Sequence, residues 1–211
     1  MTSPRARRRR PQQALANEVR IIGGTWRSRR IHFPSVAEVR PTPDRVRETL
    51  FNWLGQDLTG LTCLDLFAGS GALGFEAASR GAKCVVMVEK DRIAHSALLQ
   101  NRTMLSAGQV EVVRSDALEF LRADHRKYDI IFLDPPFAAD HAERALPLLP
   151  RRMTPDARIY YESGAGAAWP AGWRVLRDGR AGQVFFQLAQ WNHDEPHGGI
   201  SGHVRSDHTG S

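Results

Sequence analysis

Cysteine is scarce in this chain. Only two of the 211 residues are cysteines, Cys63 and Cys84, and each lies within an apolar run that is typical of a buried strand. Two thiols cannot form the disulfide framework of a small secreted protein, and the eight histidines lack the spacing of a zinc site. We therefore expect two buried free thiols, with neither a disulfide nor a bound metal.

Long hydrophobic runs are missing as well. No segment approaches the run of about 18 apolar residues that a membrane-spanning helix needs. The N-terminus is rich in arginine, but no apolar stretch follows it as one would in a secretory signal peptide. These features predict a soluble, cytoplasmic protein with no membrane partner. The length fits one α/β domain with short appendages, and we expect a monomer.

Acidic residues are nearly absent from the first 34 positions, which hold nine arginines and one acid, Glu18. The rest of the chain has 20 basic and 22 acidic residues, so the net charge of +6 is concentrated at the N-terminal end. Local positive charge of this kind is typical of a surface that meets a polyanion. For Arg5 to Arg10 alone, a solvated tail is an equal alternative.

The segment VRIIGGTWRSRRIHF, from Val19, has two β-favouring runs on either side of a Gly-Gly pair. It predicts a small hairpin that presents basic side chains. A helix follows over TPDRVRETLFNWLG, capped by Thr42 or Asp44. We expect a disordered basic tail over 1–18, the hairpin extension over 19–40, a catalytic domain over 41–190 and a disordered tail over 191–211.

From Leu61 onward, buried strands alternate with helices, which predicts parallel βαβ units. The segment AERALPLLPRRM predicts another helix before the fifth of these strands. GWRVLRDGRAGQVFFQLAQ then predicts two strands around the turn Asp178-Gly179, so the sheet ends in an antiparallel hairpin. The predicted fold is α/β, with a doubly wound, mostly parallel seven-stranded sheet of the Rossmann-like type.

A glycine loop between the first strand and its helix places Gly69, Gly71 and Gly74 as G-x-G-x-x-G. Such glycines allow a tight turn and a close approach of the backbone to a ligand, but many nucleoside sites share them. Glu89 ends the second strand, where a carboxylate binds ribose hydroxyls unless it is merely solvated. Asp116 follows the third strand, where it reads an adenine edge or caps the next helix.

Asp65 lies in the first strand, before the glycine loop. A carboxylate there repels a pyrophosphate but suits a cationic or amine-bearing ligand. This favours the methionine moiety of S-adenosylmethionine over a nicotinamide dinucleotide. An oxidoreductase would share the glycine loop and Glu89, but it would not require Asp65.

The fourth strand ends in DPPF, Asp134 to Phe137. An exocyclic amine on a planar base can donate to Asp134 and to the Pro135 carbonyl while Phe137 stacks on the ring. The nitrogen lone pair is then positioned to attack a methyl group in line, so that catalysis comes from positioning and electrostatics. Taken alone, the motif could also be a strand-terminating turn.

Five sequence blocks form a recognisable set: RIIGGTWRSRRI, RPTPDRVRETLFNWL, CLDLFAGSGALGFEAASRGA, VEKD and DIIFLDPPF. They resemble the class I S-adenosylmethionine-dependent methyltransferases that modify exocyclic amines. More narrowly, they resemble the RsmD-like family, which methylates N2 of one guanine in 16S ribosomal RNA. The resemblance covers roughly residues 19–190, and the block RPT-x-DRVRE is specific because generic methyltransferases lack it.

The resemblance implies a role for each matching residue and a partner, 16S ribosomal RNA in an assembling small-subunit particle. The catalytic residues would be Asp134, Pro135, Pro136 and Phe137. The residues binding the S-adenosylmethionine cofactor would be Asp65, Phe67, Ala68, Gly69, Ser70, Gly71, Gly74, Glu89, Lys90, Asp116 and Ala117. The arginines facing RNA, or closing over the cofactor, would be Arg20, Arg27, Arg29, Arg30, Arg40, Arg45 and Arg47.

One departure from the family pattern is Phe137, because the family has tyrosine more often at this position. Phenylalanine keeps the stacking face and loses the hydroxyl. Two other functions stay open from the sequence. One is methylation of another amine in DNA or RNA, such as adenine N6 or cytosine N4. The other is a non-catalytic RNA-binding assembly factor.

Overall fold

A computed structural model describes residues 17–35, 41–136, 140–164 and 169–192. Arg40 and Phe137 lie outside these ranges, as does most of both predicted tails. The first described strand begins at Asn17 and the last ends at Trp191. Regular structure therefore extends slightly into both predicted tails, because each end is paired with a neighbouring strand.

The main sheet has seven strands in the order β5-β4-β3-β6-β7-β9-β8. In this order the five strands from β5 to β7 run parallel to one another, whereas β9 runs antiparallel to both β7 and β8. This confirms the predicted doubly wound, mostly parallel sheet with a C-terminal hairpin. The strands are β3 (Thr62–Asp65), β4 (Cys84–Glu89), β5 (Val110–Arg114), β6 (Tyr128–Leu133), β7 (Met153–Ser163), β8 (Trp173–Ala181) and β9 (Val184–Trp191).

Helices cover both faces of the sheet. The first three pack with one buried cluster around Phe75 and Phe132, and the other two pack with a second cluster around Leu64 and Ile131. The helices are α1 (Asp44–Leu54), α2 (Ala72–Ser79), α3 (Arg92–Leu105), α4 (Ala117–Ala123) and α5 (His141–Ala145). The predicted helix AERALPLLPRRM is only partly correct. After α5 it continues as a 3₁₀ helix, Leu146–Arg152, because its prolines lack the N–H groups of an α-helix.

The turn of the C-terminal hairpin differs from the prediction. Asp178 and Gly179 lie inside β8, and the chain reverses at Gly182 and Gln183. Gly182 has φ +62, a conformation that favours glycine in a tight hairpin. Gly179 is paired with Phe186, and a Cβ atom at Gly179 would lie 2.5 Å from that ring. This glycine therefore makes room for an aromatic side chain and forms no turn.

The predicted N-terminal hairpin is present as β1 (Asn17–Arg20) and β2 (Arg30–Phe33), which pair antiparallel. Its Gly-Gly pair does not form the turn but presses against the end of α2. A Cβ atom at Gly24, whose φ is +74, would lie 1.9 Å from the Ser79 carbonyl oxygen. The apolar hairpin residues share one core with the main sheet. How the chain divides into domains stays a prediction, but the hairpin is not a detached appendage.

A buried carboxylate, Glu76 of α2, joins the hairpin to the helices. It accepts hydrogen bonds from the amides of Ile22 and Gly23 at 2.8 and 2.7 Å. It also accepts from the guanidinium groups of Arg47 at 3.2 Å and Arg80 at 2.8 Å. We call this set, Glu76 with Ile22, Gly23, Arg47 and Arg80, the Glu76 clamp. All of its charges are buried, so each depends on its partners.

Replacing Glu76 by Gln is expected to lower the free energy of unfolding by about 3–5 kcal/mol, because two buried guanidinium groups lose their counter-charge. Urea unfolding measures the change. Glu48→Gln, at an exposed position on α1, is the matched control and is expected to change stability by less than about 0.5 kcal/mol. Equal, small losses in the two variants would show that the clamp does not hold the fold together.

Candidate active site

The predicted site residues meet at one edge of the sheet. Strands β3, β4 and β6 are parallel neighbours, and they end at Asp65, Glu89 and Leu133. Asp134 follows directly after β6, and the glycine loop follows β3. Because the carboxyl ends of parallel strands share an edge, the structure brings these groups to the switch point where α/β sheets bind ligands.

The glycines of the loop are required by the backbone and by packing. Gly69 and Gly71 have φ values of +49 and +80, which favour glycine. A Cβ atom at Gly71 would lie 2.6 Å from Leu98, and one at Gly74 would lie 2.9 Å from Met87. The loop therefore turns tightly into α2. Because these three residues have no side chains, a ligand can approach the loop backbone closely.

Asp65 is buried beneath this loop, with 2% of its surface exposed. Its Oδ2 accepts a hydrogen bond from the Gly74 amide at 2.9 Å. Burial raises the pKa of Asp65 to about 7, although that hydrogen bond opposes the shift. The folded state therefore keeps a proton that the unfolded chain releases between about pH 4 and 7, and Asp65 lowers stability as the pH rises through this range. A nearby cation would stabilise the ionised carboxylate and so offset this loss of folding stability.

Glu89 is more than a solvated acid at a strand end. Its Oε2 accepts from the Gly69 amide at 2.9 Å and its Oε1 from the Asp91 amide at 2.7 Å. Burial raises the pKa of Glu89 even though these hydrogen bonds oppose the shift. Each carboxylate oxygen has a second lone pair, so Glu89 can hold the glycine loop and still accept from hydroxyl groups of a ligand.

Asp116 is the N-cap of α4, so the capping alternative is what the structure shows. Its Oδ1 accepts from the amides of Leu118 at 3.0 Å and Glu119 at 3.4 Å. Its Oδ2 lies 3.4 Å from the Nζ of Lys90, which is exposed. A role for Asp116 in reading an adenine edge stays a prediction, and it would use the neighbouring groups at the start of α4.

The remaining predicted cofactor residues lie in the glycine loop or at the start of α4. Ala68 and Ser70 are buried, and Ala68 donates its amide to the Val88 carbonyl at 2.9 Å. Phe67 is partly buried, with its ring centroid 5.7 Å from that of His141. Ala117 is the first residue of α4.

Asp134 is partly buried, and Pro135 and Pro136 follow it outside regular structure. Its Oδ2 accepts a hydrogen bond from the Thr42 hydroxyl at 3.2 Å. The prediction that Thr42 or Asp44 caps α1 is therefore wrong, because Pro43 occupies the cap position and Thr42 contacts the site. Burial raises the pKa of Asp134 well above its usual range, and the nearby charges of Glu162 and Asp65 raise it further.

Glu162 and Tyr160, on β7, were not expected at this site. Glu162 has 6% of its surface exposed, and the Tyr160 hydroxyl donates to its Oε2 at 2.8 Å. In the sequence, YYES reads as an ordinary strand end. The sequence feature that could have identified Glu162 is its position, near the carboxyl end of the strand that pairs in parallel with β6.

The predicted arginines divide into an exposed group and one buried residue. Arg47 has no exposed surface and lies in the Glu76 clamp, so the prediction that it contacts RNA is wrong. It also donates to the Thr42 carbonyl at 3.1 Å. The exposed members are Arg20, Arg27, Arg29, Arg30 and Arg45. Arg20 and Arg30 line a cleft of about 330 Å³ that reaches Thr42.

Within the residues that the structure describes, no helix is long and apolar enough to cross a membrane. In the same ranges, no group of three or more His, Cys, Asp or Glu residues is arranged to hold a metal ion. Cys63 and Cys84 are free thiols, the first buried and the second partly buried.

Comparison with known proteins gives close relatives along most of the chain. Ribosomal RNA small subunit methyltransferase D of Escherichia coli K12 is 42% identical over 187 residues, which cover 86% of this chain and 94% of the relative. The protein of the same name from Haemophilus influenzae is 42% identical, over 82% of this chain and 94% of its own length.

The fold has close counterparts among solved structures. The solved structure of yhhF from Escherichia coli has 43% sequence identity to this chain and a TM-score of 0.76. The match covers 83% of this chain and 99% of the yhhF chain. Residues 19–190 match the family described as Conserved hypothetical protein 95, the same span over which the motifs resemble the RsmD-like proteins. The chain therefore belongs to this family, Conserved hypothetical protein 95, the RsmD family.

Proposed function

We propose that this chain transfers a methyl group from S-adenosylmethionine to the N2 amine of a specific guanine in 16S ribosomal RNA, on an assembling small subunit. The observation that carries the proposal is Asp134, a carboxylate held by Thr42 at the end of β6 beside the glycine loop. Relatives at 42% identity are named ribosomal RNA small subunit methyltransferases, which supports the substrate class.

The residues present suit S-adenosylmethionine. Asp65 is a buried carboxylate with no ion pair to an arginine, lysine or histidine of the described chain, so it suits the positive charge of this cofactor. The loop from Gly69 to Gly74 offers backbone at close approach, and Glu89 offers acceptors for ribose hydroxyls. When bound, the cofactor supplies a methyl group on a sulfonium centre.

The acceptor side of the reaction would be organised by the segment after β6. Asp134 and the Pro135 carbonyl would accept the two N–H groups of the amine, and Phe137 would stack on the base. Thr42 fixes the Asp134 carboxyl group, so little reorganisation is needed when the base enters. The rate would come from holding the amine in line with the methyl group.

The exposed arginines would bind the phosphates of the RNA. Arg20 and Arg30 line the same cleft as Thr42, whose hydroxyl donates to Asp134. Each is paired with an acid of that cleft, Arg20 with Asp44 at 3.2 Å and Arg30 with Glu18 at 2.6 Å, so RNA phosphates would compete with these exposed ion pairs. Arg29 is partly fixed by donating to the Met104 carbonyl at 2.8 Å. Phosphate contacts position RNA without reading its sequence, so the choice of guanine would come from the groups around Asp134.

The direct test is methyl transfer to small ribosomal subunits isolated from cells that lack this protein, followed by nucleoside analysis. We expect N2-methylguanosine. N6-methyladenosine would instead indicate a different amino-methyltransferase, and the absence of product with retained RNA binding would indicate an assembly factor. Asp134→Ala is expected to lose methyl transfer and to keep RNA binding, because in the proposed complex Asp134 would contact the target base and none of the RNA phosphates.

Arg27→Ala and Arg45→Ala are each expected to weaken RNA binding and to lower the slope of log affinity against log salt by about one, because each would remove a phosphate contact. Filter binding across a salt series measures both quantities. Arg122→Ala is the matched control, since Arg122 is exposed on α4 on the opposite face of the sheet. If all three variants weaken binding equally, the surface formed by the hairpin and the start of α1 is not the RNA-binding surface.

A further inference from the structure

A second carboxylate lies beside Asp134. Strands β6 and β7 are parallel, with Phe132 beside Tyr160 and Leu133 beside Tyr161. Asp134 follows β6 directly, so continuing this register one residue past Leu133 and Tyr161 puts Asp134 opposite Glu162. Phe132 and Tyr160 share one buried cluster, so the alternation of strand side chains places Asp134 and Glu162 on that same face, one strand apart.

The surroundings of this pair hold acids and uncharged groups. Thr42, before α1, donates to Asp134, and Tyr160, on β7, donates to Glu162. Asp65 on β3 is close enough for its charge to act on Asp134. Phe186 of β9 is paired with Glu162 and is apolar.

Within the described chain no arginine, lysine or histidine forms an ion pair with either carboxyl group. Two neighbouring carboxyl groups that lack a cation cannot both ionise cheaply when they are withdrawn from water. Their protons come off in two steps that belong to the pair and not to either residue alone. The Thr42 hydroxyl donates to Asp134 and the Tyr160 hydroxyl donates to Glu162, so each carboxyl group has one hydroxyl donor that favours its ionised form.

We propose that Glu162, held by Tyr160, is the proton partner of Asp134: the two carboxyl groups share one proton, and the pair receives the proton that the amine loses on methylation. This inference rests on the proposed function. Glu162 acts through Asp134 and is therefore a positioning residue.

The proton transfer balances within this pair. Once the amine nitrogen carries the new methyl group, one N–H bond breaks and its electron pair stays on nitrogen, which becomes neutral. The proton forms an O–H bond on Asp134, whose carboxylate charge is lost. The pair then holds one more proton than before, and that proton returns to water when the product leaves.

The first experiment is a titration of the free protein labelled with ¹³C at aspartate and glutamate carboxyl groups. The charge of Glu162 raises the pKa of Asp134, so in Glu162→Gln the Asp134 midpoint is expected to fall by about one pH unit or more. In Tyr160→Phe the Glu162 midpoint is expected to rise, because the hydrogen bond that favours its ionised form is lost. Unchanged midpoints in both variants would overturn the proposal.

The second experiment is the pH dependence of kcat/KM for methyl transfer. Asp134 must be ionised to accept from the amine, so Glu162→Gln is expected to move the acidic limb to lower pH. A purely structural role would lower kcat/KM at all pH values and leave the limb in place, which would also overturn the proposal. If the wild-type protein methylates nothing, the proposed function fails, whereas the titration still tests the pair.

Discussion

The Glu76 clamp is the interaction on which the site depends. Its carboxylate lies in α2, the helix that begins at the glycine loop, and it binds Arg47 in α1 and two amides of the N-terminal hairpin. Arg47 in turn donates to the carbonyl of Thr42, whose hydroxyl contacts Asp134. One buried ionic network thus fixes the glycine loop, the arginine-bearing hairpin and the segment that supports Asp134.

The two kinds of buried acid in this protein serve different ends. Glu76 is surrounded by donors, including two guanidinium groups, so its charge stabilises the fold. Asp65, Asp134 and Glu162 have raised pKa values from burial and bond mainly to amide or hydroxyl donors. Such groups cost stability in the free protein, and they suit a site where a positive charge must bind and a proton must be received.

Much of the fold and part of the site could be predicted, because the signals are local. Strand and helix periodicity, the glycine loop and the acids at strand ends gave the parallel sheet and placed Asp65, Glu89 and Asp134 at one edge. The errors concern long-range partners. Arg47 looks like a surface arginine until Glu76 is placed beside it, and Thr42 looks like a helix cap until β6 is placed. Gly24 and Gly179 look like turn residues, although each makes room for a distant neighbour.

The central claim is that Asp134 receives the exocyclic amine of a guanine. The most direct measurement is a crystal structure of the protein with S-adenosylhomocysteine and an RNA fragment that contains the target guanine. We expect the guanine N2 within hydrogen-bonding distance of both the Asp134 carboxylate and the Pro135 carbonyl oxygen, with its lone pair directed at the thioether sulfur of the cofactor product. A guanine that remains stacked in the RNA, or that enters the pocket with another edge facing Asp134, would contradict it.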